Sequence, residues 1–499
     1  PTQLTATSNI GLGANAVNSI TTGDRNVGLG DNAGTAITSG SNNTTVGHSS
    51  SLALTTGVNN TVFGYTALGS GTSAGYNTAM GFAALYTNVS GGENVALGYN
   101  ALYANTADNN TALGSQALET NTSGANNVAV GRQALEANTT GTSNTGVGTS
   151  ALQANTTASY STAVGHRALM SVTTGIENTA VGYAAGDAIT TGAGNVFMGL
   201  NAGTATTTAN TNVGIGYSTM VANTTGTENV AVGATALDAN TTGIGNVAIG
   251  EAALTTATTA SYNTGVGRAA LRLTTTGASN TGIGFEALRA NTTGAGNTAM
   301  GKDSLKANTT AHNNTAYGAL SLQANTTGAN NVAVGGEAMY LNTTGADNVA
   351  IGRGALDANT TAANNTAVGR IALGANTTGA SNTAVGKGAL TTMVTGSNNT
   401  AVGLESQKLG VASNNTSLGF ESLKNNVASN NTAIGFQAGS GITSGANNTG
   451  IGMQTFTAAL TGSNNTAVGH AALTANTTGA SNTAVGTSAL GANVTGTQN

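Results

Sequence analysis

The sequence predicts an all-β protein, a parallel β-solenoid of about 29 coils of 17 residues, and three observations predict it. A five-residue motif, most often Asn-Thr-Ala-Val-Gly, occurs 29 times between Asn9–Gly13 and Asn482–Gly486. Successive copies lie 17 residues apart in 25 of 28 intervals and 16 apart in the other three. Gly makes up 74 of 499 residues, whereas aromatic residues make up 4% and charged residues 6%. A conventional layered core is hard to build from so few large side chains.

The repeating unit is numbered here from the first residue of the motif, so that position 5 is the Gly. Its consensus is N-T-A-V-G-x-x-A-L-x-A-N-T-T-G-A-x. The unit is too short for helical repeats, and its β-branched residues and turn-forming Gly and Asn suit one coil of a β-solenoid. Residues 1–499 are therefore predicted to form a single repetitive array, with motif starts from Asn9 to Asn482. We expect it to be a segment of a longer fibre.

The elements of each coil follow from the consensus. The N-T-A-V-G stretch predicts one strand, the A-L-x-A stretch predicts a second, and N-T-T-G-A-x predicts the return loop. The invariant Gly at position 5 predicts a tight corner, because Gly adopts positive φ at no steric cost. Position 4 is apolar in all 29 copies, so we expect it to face the core. A carboxylate there, as in Val334→Asp, would then be buried without a partner.

Two further columns bear on the interior. Position 1 is Asn in 28 of 29 copies, and stacked amides can bond to the coils above and below, which predicts a structural ladder rather than a catalytic role. Position 9, usually Leu, is Gly in four units, and in three of them position 12 changes from Asn to Ile. These position 9 and 12 pairs are Gly34 and Ile37, Gly186 and Ile189, Gly439 and Ile442, and the exception Gly203 and Thr206. Both positions should therefore border the core, where Ile fills the volume of the missing Leu.

Composition excludes several classes of function. The formal net charge is −5, which leaves no basic stripe for nucleic acid, and no apolar run is long enough to span a membrane as a helix. The chain has no Cys, its four His residues are scattered, and 18 acidic residues are too few for calcium in every coil. No nucleophile lies in a readable arrangement with a base. We therefore expect no enzyme, no catalytic residue, no metal and no cofactor.

Position 6, directly after the invariant Gly, is the variable column and the candidate site. It carries His48, Tyr65, Phe82 and Tyr99 on four successive coils, and Arg353, Arg370 and Lys387 on three others. Stacked like charges repel unless they are solvated, so this column should face water. Two interpretations are open. The column is a surface-binding ladder for a glycan or protein receptor, or its side chains merely stack along the fibre or cover a seam between protomers.

The units NTAVGRIALGANTTGASNTAVGKGAL, Asn365–Leu390, resemble the head repeats of trimeric autotransporter adhesins of the YadA type. They are similar also to related repeats in bacteriophage tail-fibre proteins. The resemblance covers almost the whole chain, and it implies a left-handed parallel β-roll that is trimeric, lies outside the cell or virion, and serves attachment. The uniform 17-residue unit departs from the adhesin heads, whose unit we expect to be shorter.

These observations together predict a non-enzymatic extracellular fibre, the head or shaft of an adhesin or tail fibre that mediates surface attachment. Each unit offers only about two large apolar side chains, so we expect three parallel chains to associate and bury a second face. Two alternatives are a self-assembling extracellular filament without a specific receptor, and an ice-binding solenoid that uses its Thr-rich ANTTG loops. Neither nucleic acid nor membrane insertion is expected.

Overall fold

The computed structural model describes residues 6–499, in which 29 three-residue strands occur and no helix. Each strand occupies positions 2 to 4 of one unit. The first fourteen are β1 Ile10–Leu12, β2 Val27–Leu29, β3 Thr44–Val46, β4 Thr61–Phe63, β5 Thr78–Met80, β6 Val95–Leu97, β7 Thr111–Leu113, β8 Val128–Val130, β9 Thr145–Val147, β10 Thr162–Val164, β11 Thr179–Val181, β12 Val196–Met198, β13 Val213–Ile215 and β14 Val230–Val232. The others are β15 Val247–Ile249, β16 Thr264–Val266, β17 Thr281–Ile283, β18 Thr298–Met300, β19 Thr315–Tyr317, β20 Val332–Val334, β21 Val349–Ile351, β22 Thr366–Val368, β23 Thr383–Val385, β24 Thr400–Val402, β25 Thr416–Leu418, β26 Thr432–Ile434, β27 Thr449–Ile451, β28 Thr466–Val468 and β29 Thr483–Val485.

The described residues form two compact units, 6–248 and 249–499, and each is a parallel β-solenoid. In the first unit β1 to β14 pair in sequence order, and in the second β16 to β29 do the same. The register places equivalent residues side by side, as in Thr162 with Thr179 and Val164 with Val181. A 16-residue coil keeps this register, since Thr400 pairs with Thr416. The predicted solenoid of 17-residue coils is confirmed, and each short strand is stabilised by its neighbours along the stack.

The predicted corner at position 5 is confirmed. Gly131 has a φ of 134°, in the region that side-chain-bearing residues rarely adopt. A Cβ on Gly131 would also lie 2.6 Å from the carbonyl oxygen of Gly148 in the next coil. The corner therefore needs Gly for two reasons, the backbone conformation and the close approach of neighbouring coils.

The second strand predicted in the A-L-x-A stretch is wrong. Positions 6 to 11 form a turn in which positions 7 and 9 are left-handed, as in Gln133 with φ 57° and Leu135 with φ 53°. In a strand, neighbouring side chains point to opposite faces. Here Ala134 and Leu135 are adjacent and both are fully buried. The left-handed residues allow this arrangement, and the turn still bonds along the stack, since Leu135 N donates to the carbonyl of Ala151 (2.9 Å).

The expectation that position 4 faces the core is also wrong, because position 3 does so. Ala333 is fully buried, whereas Val334 is 37% exposed. The interior is narrow: a Cβ on Gly146, at position 3, would lie 3.4 Å from Leu135 Cγ of the preceding coil. A methyl group at position 3 therefore fills the space left by Leu at position 9. The larger β-branched side chains at positions 2 and 4 lie outside the coil.

Positions 9 and 12 both border the core, as expected. The Ile side chains that accompany Gly at position 9 are fully buried, and a Cβ on Gly34 would lie 2.8 Å from Ile37 Cδ1. In the unit with Gly203 and Thr206, a different residue fills the space of the missing Leu. Phe197, at position 3 of that unit, is fully buried, and its ring fills the space beside Gly203. The missing Leu is thus replaced from within the coil in this unit as well.

The Asn column at position 1 forms the predicted ladder. The backbone N–H of Asn144 donates to Asn127 Oδ1 (2.9 Å), and Asn127 Nδ2 donates to the carbonyl of Gly141 (2.9 Å). A second ladder, which the sequence reasoning did not anticipate, runs along position 12. There Asn138 Nδ2 donates to Asn121 Oδ1 (2.6 Å) and to the same Gly141 carbonyl (3.0 Å). These buried amides have bonding partners that offset their desolvation, which supports a structural role.

Candidate interaction surfaces

The first candidate surface is the outer sheet face, defined here as positions 2 and 4 of the strands. These side chains flank the buried position 3 and point away from the interior, as in Val332 and Val334 around Ala333. Every residue at position 2 is Thr, Val or Ile. Every residue at position 4 is Val, Ile, Leu, Met, Phe or Tyr. Two columns that never carry a charge therefore line one face of each unit.

The outer sheet face exposes large apolar side chains to solvent. In the first unit Leu113 is 44% exposed, and in the second Ile351 is 41% and Leu418 is 48% exposed. Single exposed apolar residues are ordinary on soluble proteins, but an extended apolar patch marks an interaction site. This surface was missed at the sequence level, because the apolar column at position 4 was assigned to the interior.

The second candidate surface is the charged face, defined here as positions 6, 7 and 10. It carries twelve of the thirteen Lys and Arg residues and twelve of the eighteen Asp and Glu residues. Contacts join the three columns. Arg353 at position 6 lies 3.6 Å from Glu337 at position 7, and Gln133 at position 7 donates to Glu136 at position 10 (3.3 Å). The charged face is therefore one surface with the corner Gly at its edge.

In the first unit the position-6 column forms a stack of two rings, His166 and Tyr183, and a longer stack of four rings. Ring centroids from His48 to Tyr65, Tyr65 to Phe82 and Phe82 to Tyr99 are each 5.4 Å apart, with interplanar angles of 10–17°. All four side chains are exposed, so the expectation that this column faces water is confirmed for them. The faces of Tyr65 and Phe82 are turned toward neighbouring rings. A sugar ring would consequently meet mainly ring edges, except at the two ends of the stack.

The cationic residues of the position-6 column lie in the second unit, on the consecutive coils that begin at Asn348, Asn365 and Asn382. Arg353, Arg370 and Lys387 are all exposed, and the side chain of Arg353 retains 72% of its accessible surface. These three residues and the aromatic stack belong to different units. A surface-binding role for either group stays a prediction.

In four coils of the second unit an acid at position 7 is paired with a base at position 10. Lys306 Nζ lies 2.7 Å from Glu286 Oε2, and Lys408 Nζ lies 3.0 Å from Glu405 Oε1. The hydrogen bond from Lys306 lowers the pKa of Glu286, and the same bond raises the pKa of Lys306. Glu405 and Lys408 lie three residues apart in one coil, where the turn brings positions 7 and 10 together. Glu286, by contrast, belongs to the coil that precedes that of Lys306.

Two carboxyl groups at position 10 differ from these pairs. Burial raises the pKa of Asp238 and of Asp357, and the charge of Glu337 adds to the effect at Asp357. Asp357 lines a small groove of about 150 Å³ that Arg353 and Arg370 also border. The groove is a shallow recess of the charged face. It holds no nucleophile beside a base in an arrangement suited to covalent catalysis.

Metal ligands are not clustered in the described part of the chain: within residues 6–499 no three His, Asp or Glu side chains lie close enough to hold a metal ion. Among those residues no helix is long and apolar enough to cross a membrane.

The Thr-rich return loop is engaged in bonding along the stack. Thr139, at position 13, donates from both its backbone N–H and its hydroxyl to the carbonyl of Thr156 (2.9 Å each). The same hydroxyl bond recurs from Thr156 to Thr173 (3.0 Å). The hydroxyl proton at position 13 is thus used within the stack, and the ice-binding alternative stays a prediction.

No protein-family model matches the chain, and no curated protein is significantly similar to it. The assignment of its function therefore depends on the two surfaces and on the resemblance of its repeats.

Proposed function

We propose that this chain is a non-enzymatic segment of an extracellular attachment fibre, and that three parallel copies associate through their outer sheet faces. The single observation that carries the proposal is the composition of that face. None of the 29 residues at position 2 or the 29 at position 4 is charged, although those at position 4 are large and partly exposed. Selection against charge in two adjacent columns is expected where the columns are buried in an assembly.

The thin interior supports the same proposal. Within a coil the buried apolar side chains are chiefly Ala at positions 3 and 8 and Leu at position 9. Burial of apolar area is worth about 25 cal/mol per Å², so a coil that buries one Leu and two Ala side chains gains little from its own core. Association through positions 2 and 4 would cover large apolar side chains that are partly exposed in the single chain. Three identical chains in parallel place like coils at one level, which cyclic symmetry permits over any length.

The charged face supports the attachment role. It lies on the far side of the corner Gly from the outer sheet face, so its side chains can stay in contact with solvent when the sheet face is covered. The resemblance to adhesin heads and tail-fibre repeats supports the same role and a location on a cell surface or virion. We propose that the receptor is a surface glycan or a surface protein, without a cofactor.

The oligomeric mass tests the proposal. Sedimentation equilibrium of the 499-residue chain is expected to give three times the 48.1 kDa protomer mass. Replacing Ile351 and Leu418 of the outer sheet face by Lys should lower the mass to that of one chain, whereas replacing the exposed residues Ala319 and Leu404 of the charged face by Lys should not. A monomeric parent chain would overturn the trimer.

Attachment is tested separately, by binding of the labelled trimer to intact cells and to arrays of glycans. Retention on a surface supports the fibre with a receptor. End-to-end assembly in electron micrographs without retention on any surface would favour the filament instead. Thermal hysteresis without surface retention and without end-to-end assembly would favour ice binding.

A further inference from the structure

In three successive coils the cation at position 6 has no acid at position 7 of its own coil. In the coils that carry Arg353, Arg370 and Lys387, position 7 is occupied by Gly354, Ile371 and Gly388 in place of an acid. Glu337 lies 3.6 Å from Arg353, but neither Arg370 nor Lys387 forms an ion pair among the described residues. Bases at position 10, such as Lys306 and Lys408, are by contrast paired with an acid three residues earlier.

The spacing of these cations is fixed by the fold. Rings in the same column lie 5.2–5.4 Å apart from coil to coil, which measures the repeat of side chains at position 6. The cationic ladder, defined as Arg353, Arg370 and Lys387, therefore presents three positive charges in line at about the spacing of successive β-rungs. Like charges at this separation repel, and bound anions of the same spacing would relieve the repulsion.

The surroundings of the ladder suit a carbohydrate. The two glycines at position 7 are buried and add no side chain beside the ladder, and Ile371 between them is 37% exposed. A groove of about 150 Å³ adjoins Arg353 and Arg370, with the carboxyl groups of Glu337 and Asp357 on its wall. Carboxylates accept hydrogen bonds from sugar hydroxyls, and an exposed aliphatic side chain can pack against the C–H face of a pyranose.

We infer that the cationic ladder of Arg353, Arg370 and Lys387 binds a linear acidic polysaccharide that carries about one carboxylate per sugar residue. Arg370 and Lys387 supply the principal contacts, because Arg353 is shared with Glu337. Nucleic acid is a poorer match, since duplex DNA carries a charge every ~1.7 Å and its binding proteins usually neutralise about 6–10 phosphates. The inference names the receptor class of the proposed attachment fibre and rests on that function.

The matched control comes from the same column. Arg132 and Lys302 also occupy position 6 and are exposed, but the neighbouring coils carry no second cation there. The variant R132Q/K302Q removes the same net charge as R370Q/K387Q and leaves the ladder intact. A third variant, Glu337→Gln, removes a negative charge beside Arg353 without adding a cation.

Binding of the purified full chain to immobilised polygalacturonate, dextran and double-stranded DNA tests the inference. We expect saturable binding to polygalacturonate that weakens with salt, falls about tenfold in R370Q/K387Q, and strengthens in Glu337→Gln. R132Q/K302Q should bind as the parent chain does. Equal losses in the two double variants would show attraction by bulk charge alone and overturn the inference, as would equal binding to dextran or tighter binding to DNA.

Failure of this inference can be told apart from failure of the proposed function. A trimer that is retained on cells but does not bind polygalacturonate would overturn the polysaccharide assignment and leave the fibre standing. A monomer that still binds polygalacturonate through the ladder would overturn the trimer and leave the assignment standing.

Discussion

The ring of Phe197 occupies the space that a side chain at Gly203 would need, with Cε1 2.5 Å from where a Cβ of residue 203 would stand. The two residues are positions 3 and 9 of one coil, which elsewhere are usually Ala and Leu. The coil that contains Gly450 and Phe456 shows the reverse exchange, with Gly at position 3 and Phe at position 9. A Cβ on Gly450 would lie 3.1 Å from Phe456 Cδ2. Positions 3 and 9 thus share one interior volume that either can fill.

This shared volume predicts a strong coupling between two substitutions. Phe197→Ala should lower the free energy of unfolding by about 3–5 kcal/mol, because it leaves a cavity beside Gly203. Gly203→Leu should destabilise the parent chain through overpacking. The double variant restores the usual Ala and Leu pair, and Leu is already left-handed at position 9 of other coils, so most of the stability should return. Chemical denaturation together with hydrogen exchange of residues 180–220 measures this, and simple additivity of the two losses would contradict it.

The inward direction of position 3 predicts unequal effects at neighbouring residues. Ala333→Asp should bury an unpaired carboxylate and collapse the local coils, which hydrogen exchange would detect as lost protection around β20. Val334→Asp should leave a monomeric chain folded, because that side chain is 37% exposed. In the proposed trimer Val334→Asp should instead cause dissociation, visible as a fall in sedimenting mass. If Val334→Asp unfolded the isolated chain as severely as Ala333→Asp, the outer sheet face would be wrongly assigned.

The position-1 ladder predicts a graded series at Asn127. Asn127→Ala removes both the acceptor for Asn144 N–H and the donor to the Gly141 carbonyl, and should cost about 1–3 kcal/mol. Asn127→Ser should cost less, because Ser161 at the same position still accepts from the N–H of Asn178 (3.3 Å). Denaturation midpoints compare the two variants, with Asn126→Ser at exposed position 17 as the control. An Ala variant as stable as the control would show that the ladder contributes nothing.

The ion pairs of the charged face predict how stability depends on pH. Hydrogen bonds from Lys424 and Gln437 lower the pKa of Glu421 from its ordinary value of 4.5. The folded state therefore favours the carboxylate, and this stabilisation, complete above pH 4.5, is lost as the pH falls through the lowered pKa. Glu421 also raises the pKa of Lys424, so the stabilisation from the lysine is lost only at strongly alkaline pH.

Substitution of Glu421 tests this dependence. Glu421→Gln should be less stable than the parent chain at neutral pH, and the difference should shrink as the pH falls below 4.5. Hydrogen exchange of residues 405–440 across a pH series is the measurement. Glu177→Gln, at an exposed position 17, serves as the control. If the stability difference between Glu421→Gln and the parent chain grew on acidification, the assigned effect of the ion pair would be wrong.

Much of the candidate site could be predicted from the sequence, and part of it could not. The 17-residue period placed His48, Tyr65, Phe82 and Tyr99 in one column, and the structure stacks them as exposed rings. The meeting of positions 7 and 10 was not foreseen, because it depends on the left-handed residues of the turn. The second Asn ladder was not predicted either. It depends on the contact between the amide at position 12 and the carbonyl at position 15, which a description of the coil as two strands and a loop does not include.

The sequence alone determined the solenoid, its register and the corner at each Gly, because a repeat that stacks in register must place like residues side by side. Only the tertiary structure decided which of two adjacent apolar columns faces inward. Hydrophobicity favours Val at position 4 for the interior, but the coil is too narrow for it when Leu occupies position 9. Interior volume, rather than apolar character, therefore assigns Ala to the core and leaves the larger side chains on the surface.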